Sequence, residues 1–75
     1  MAEQDDEQYD PRQQLFTTLL RKVERDTYPS TTVMDLIEEI ADDRERAAYC
    51  RVLLEKVQRD EFPSLDLIKR VSELC

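Results

Sequence analysis

The sequence predicts an all-α protein: four helices, arranged as two duplicated helical hairpins, packed into one small domain behind a disordered acidic N-terminal tail. Three observations carry that reading. The 75 residues include no Gly, and the three Pro stand at segment edges; a hairpin-rich β protein would need residues at positive φ in its turns, which Gly supplies most readily. Apolar residues recur at helical spacing in four successive stretches. The hexapeptide RDTYPS at 25–30 returns as RDEFPS at 59–64.

The tail comes first. Residues 1–9, MAEQDDEQY, are poor in apolar side chains and are expected to be disordered. Asp10-Pro11-Arg12-Gln13 then reads as a helix start, with Asp10 as N-cap, Pro11 at the first helical position and Gln13 able to bond back. Leu15, Phe16, Leu19, Leu20 and Val23 give this helix one apolar face, to about Asp26. Pro29 pushes Tyr28 away from helical dihedrals, and Ser30 caps the second helix. That helix carries Val33, Met34, Leu36, Ile37, Ile40 and Ala41 on one side and ends near Asp42. An Asp-x-x-Glu capping box, Asp42 with Glu45, opens the third helix, whose face is Tyr49, Cys50, Leu53, Leu54 and Val57. The fourth opens at Ser64 and shows Leu67, Ile68, Val71 and Leu74.

Shifted by 34 residues, the chain matches itself. Between 19–30 and 53–64, eight of twelve residues are identical, and the apolar faces stay in step on either side. The two hairpins are thus expected at about 10–41 and 42–75. Asp26, Tyr28, Pro29 and Ser30 form the elbow of the first; Asp60, Phe62, Pro63 and Ser64 form that of the second. Pro stops the incoming helix and Ser starts the outgoing one. The aromatic residue is expected to pack under the turn, as a hydrophobic staple does. An acid in a helix's last turn is opposed by the dipole, so Asp26 and Asp60 are expected to accept backbone N–H groups of the turn or of a nearby helix start. The period is similar to that of tetratricopeptide repeats, but those place Gly and Ala where helices cross and need about three copies. A compact four-helix domain is the better expectation.

The charge is −7, from 18 acidic and 11 basic residues. Five of the acids lie in the first ten residues, which hold no Lys or Arg; the remaining body balances 13 acids against 11 bases. That near-neutrality argues against both an acidic DNA mimic and a basic nucleic-acid surface. No apolar run suggests a signal peptide or approaches the roughly 20 residues of a membrane span. Two Cys are too few for a secreted disulfide scaffold, so a cytoplasmic protein is expected.

Catalytic chemistry finds little to stand on. Without His there is no Ser–His or Cys–His pair and no imidazole metal ligand, and without Gly no phosphate-cradling loop. Cys50 takes the place of Phe16 and is expected to be a buried core thiol. Cys75 is expected at the surface, able to bridge two chains. Glu38, Glu39, Asp42, Asp43 and Glu45 cluster at the middle connection; solvated charges are expected there, without a metal or cofactor.

Lys22 and Arg25, repeated as Lys56 and Arg59, form a duplicated basic pair expected on the outer faces. Arg21, Arg44, Arg46, Arg51, Lys69 and Arg70 add to it, with acids interleaved. Leu36 stands opposite Arg70 across the copies, and Thr18 opposite Val52; these mismatches mark Leu36 and Val52 as candidate interface positions.

The expected function is therefore a non-enzymatic protein–protein interaction module, a regulator or adaptor. Its expected partner is another protein or a second copy of the chain, with neither nucleic acid nor membrane. Two alternatives stand beside it. Ser64-Leu65-Asp66 resembles part of the Asp-Ser-Leu motif at which acyl carrier proteins take their prosthetic arm, with Pro63 in place of the Asp. A helix-turn-helix DNA reader is the other, although helix 30–41 has no Lys or Arg.

Overall fold

A computed structural model describes residues 10–75 and places four helices there, with no strand. The expected tail, 1–9, lies outside the described residues. Helix α1 spans Pro11–Arg25, α2 Thr31–Ile40, α3 Asp43–Arg59 and α4 Leu65–Leu74. Each begins at a side-chain cap that satisfies backbone N–H groups the first turn leaves open. Asp10 accepts from Arg12 N at 3.1 Å and Gln13 N at 3.3 Å. Ser30 accepts from Val33 N at 3.3 Å, and Ser64 from Asp66 N at 3.0 Å. Asp42 and Glu45 close the expected capping box, with bonds of 2.8 and 3.0 Å.

The elbows end α1 and α3 in the same way. Asp26 and Asp60 each leave the helix in an extended conformation, at φ −78°, ψ 133° and φ −78°, ψ 136°. Their N–H groups still bond back, to Lys22 O and Lys56 O, each at 3.0 Å. The expected bonds to the Asp carboxylates are not formed, so the backbone exit itself ends these helices.

α1 packs on α2, α3 on α4, and α1 on α3. α1 and α3 run parallel: Arg12 near the start of α1 bonds Glu45 near the start of α3, while Lys56 near the end of α3 bonds the carbonyl of Asp26 just past α1. Both elbows therefore lie at one end of the molecule. The core lies between the helices and joins all four. Phe16 and Val23 come from α1, Met34 and Ile37 from α2, Tyr49, Val52 and Leu53 from α3, and Leu67 from α4. Leu19, Leu20, Val33, Ile40, Val57 and Val71 pack against it as partly buried neighbours.

Cys50 and Cys75 depart from expectation. They form a disulfide with each other, so Cys50 is no free core thiol and Cys75 bridges within the chain. The bond fastens the end of α4 to the middle of α3. Sequence spacing hides this pairing, because only the antiparallel return of α4 along α3 brings positions 25 apart together.

Candidate docking surface

Polar contacts tie α1 and α2 to α3 and α4 at three levels. At the end away from the elbows, the Arg12 guanidinium donates to both Glu45 carboxylate oxygens, at 2.6 and 3.0 Å, and to Ile40 O at 2.9 Å. These bonds hold the Glu45 carboxyl below its usual range, and the fork is the geometry for which Arg suits carboxylates. Between α2 and α4, Arg70 bonds Asp66 at 2.8 Å, Glu38 at 2.6 Å and Asp35 at 3.0 Å. Burial opposes the Arg70 charge, and these carboxylates outweigh it. The buried Tyr49 donates its hydroxyl to the same Glu38 oxygen; burial first, and this bond second, push its ionisation far upward. Near the elbows, the buried Lys56 donates to Asp26 O at 2.6 Å and Glu24 O at 3.3 Å, which completes the end of α1.

The carboxylates of the middle connection are therefore only partly solvated as expected. Glu38 is engaged by Arg70 and Tyr49, and Glu45 and Asp42 by Arg12. Arg12, Glu38 and Arg70 were the residues that sequence reasoning missed as organisers. One signal was available, the i, i+4 spacing of Asp66 and Arg70.

The sequence-derived interface residues scatter. Lys22, Arg25 and Arg59 are exposed, with Lys22 and Arg25 beside a shallow hollow on α1 and Arg59 beside another on α3. Leu36 is exposed on α2. Val52 and Lys56, expected at the surface, are buried: Val52 belongs to the core, and Lys56 serves the end of α1. The duplicated basic pair is thus unequal, since Lys22 faces solvent where Lys56 does not.

The elbow residues converge instead. Tyr28 and Pro29 from one elbow, and Asp60, Phe62 and Ser64 from the other, line one cavity of about 100 Å³. Met34 and Leu67, both buried, also line it. The expectation that Tyr28 and Phe62 pack under their turns is overturned: each is 88% exposed. Leu65, one residue past the Ser64 cap, is 81% exposed. A single exposed apolar side chain is ordinary. Here two exposed aromatic rings line one hollow, and exposed Leu65 lies one residue past the Ser64 cap.

Ser30 and Ser64 use their hydroxyls as caps, and Asp26, Ser30 and Pro63 shape the elbows without lining the cavity. Among the described residues, no helix is long and apolar enough to cross a membrane. Comparison with protein-family models, with curated proteins and with solved structures finds no match to this chain. The reading of the surface therefore rests on its own geometry.

Proposed function

We propose that this chain is a duplicated helical hairpin acting as a non-enzymatic protein–protein interaction module, a regulator or adaptor that docks a partner through its elbow end. The observation that carries the reading is the pair Tyr28 and Phe62, matched between copies and both held in solvent beside one apolar cavity. Fully burying such a side chain is worth about 1.5–3 kcal/mol. Within the monomer neither ring realises that gain, and a partner covering both would. Aromatic residues in such positions are frequent hot spots of interfaces. The duplication supplies the symmetry: a Ser cap, an extended helix exit and an aromatic residue, Tyr28 or Phe62, recur in each elbow.

The cytoplasmic placement expected above rested in part on two Cys being too few for a disulfide scaffold. The Cys50–Cys75 pairing weighs toward an oxidising compartment instead.

The test compares two baits in lysate of the native host, wild type and Tyr28→Ser/Phe62→Ser, at moderate salt. Both rings are exposed, so the double variant should keep its stability to within about 0.5 kcal/mol per site. A discrete protein retained by the wild type and lost from the folded variant supports the reading. The same proteins retained by both refute the elbow end as the site. The carrier alternative makes a separate prediction, a mass gain on Ser30 or Ser64 in protein isolated from its host.

A further inference from the structure

Resting on the docking reading above, we infer that the elbow cavity takes one aliphatic side chain of a partner polypeptide whose adjoining residue is Lys or Arg. Size sets the first limit. The cavity is about 100 Å³, whereas small-molecule pockets run to roughly 300–1,000 Å³. An enclosed engineered cavity of about 150 Å³ takes benzene, so this smaller, open hollow suits a branched aliphatic group better than a whole ring. The buried Met34 and Leu67 give the inner wall an apolar character that suits such a group.

Charge sets the second limit. The charged residues lining the cavity are Asp60 and Asp66, with no Lys or Arg. Asp66 is held by Arg70 at 2.8 Å, while no ion pair among the described residues engages Asp60. Exposed Glu61 adds a carboxylate next to it. Exposed Arg25 and Arg59 precede Asp26 and Asp60 in the elbows but do not line the cavity, and the Lys56 ammonium is given to Asp26 O and Glu24 O. Helix dipoles do not change the balance: α1 and α3 end here while α2 and α4 begin here, so opposite ends adjoin. The charges that line the cavity itself are thus acidic. The faces of Tyr28 and Phe62 add to the attraction for a cation.

The test is selection of displayed random heptapeptides on the full wild-type chain, with counter-selection on Tyr28→Ser/Phe62→Ser. The expected consensus is one aliphatic residue with Lys or Arg beside it. A synthetic peptide of that sequence should bind Asp60→Lys roughly three- to five-fold more weakly at low salt. Exchanging its basic residue for Glu should restore binding to that variant. Selected peptides with an aromatic anchor, or with acidic or uncharged neighbours, overturn this inference and leave the docking reading standing. Selection that yields no peptide dependent on Tyr28 and Phe62 overturns both.

Discussion

Lys56 carries the sharpest contrast between the two hairpins. Its buried ammonium donates to the carbonyls of Asp26 and Glu24, at 2.6 and 3.3 Å. Lys22, its counterpart 34 residues earlier, stands in solvent. The last carbonyls of an α-helix have no partner within it, and Lys56 supplies one to α1 from the neighbouring hairpin. Lys56→Met keeps an unbranched apolar stem and removes the donor. A hydrogen bond to a charged group contributes about 1.5–3 kcal/mol net, and a cation at a helix C-terminus about 0.3–1 kcal/mol. Relief from burying an ammonium offsets part of that, which leaves an expected loss of about 2–3 kcal/mol. Lys22→Met should stay within about 0.5 kcal/mol of wild type. Urea denaturation followed by far-ultraviolet circular dichroism reads the difference directly. In a thermal scan, a loss of this size lowers Tm by about 10–20 °C for so small a domain. Equal losses in the two variants, or wild-type stability in Lys56→Met, would refute the bridging role.

Three further outcomes are expected. Arg70→Leu, which installs the residue found at position 36, leaves Glu38 without its cation beside buried Tyr49 and should cost about 2–4 kcal/mol in urea; a change below about 0.5 kcal/mol would show that the Arg70 network contributes nothing to stability. Glu45 has its folded pKa lowered, first by its bond with Arg12, so its contribution is complete above the unfolded carboxyl value of about 4.3 and is lost as pH falls below it. Glu45→Gln should therefore be less stable than wild type at pH 7, with the gap closing on acidification toward pH 3, and a gap independent of pH contradicts the assignment. The Cys50–Cys75 bond closes a loop of 25 residues' separation, so Cys75→Ser should lower stability by about 3–4 kcal/mol under non-reducing conditions. The intact mass of the unreduced wild type should show two hydrogens fewer than the dithiol, and a mass equal to the dithiol would remove the bond from the account.

Local features were legible in the sequence, and features that depend on helices meeting were not. Asp10, Ser30, Asp42 and Ser64 were readable as caps because a cap is satisfied by residues two or three positions away. The four apolar stripes fixed the helix count for the same reason, and the matched hexapeptides marked where the chain turns back. The fates of Lys22 and Lys56 show the limit. They occupy equivalent positions in a repeated segment, yet α3 packs against α1 in the interior while Lys22 is left outside. Duplication in sequence does not imply duplication of environment, because each copy has the other as its neighbour. The Arg12–Glu45 fork, the Arg70–Glu38 pair and the Cys50–Cys75 bond each join residues 25 or more apart. Along the chain Tyr28 and Phe62 read as part of a repeated turn, which points to packing beneath it. That they gather at one end follows from the parallel run of α1 and α3, which a pattern along the chain does not encode.

Photo-crosslinking tests the docking surface most directly. Benzoyl-phenylalanine placed at Tyr28 probes the elbow end in the native host, and the same group placed at exposed Arg44, at the start of α3, probes the opposite end. The expected result is a discrete crosslinked protein from position 28, absent from position 44 and abolished at position 28 by Phe62→Ser. Crosslinks of equal yield at both positions, or none at position 28, would contradict the account.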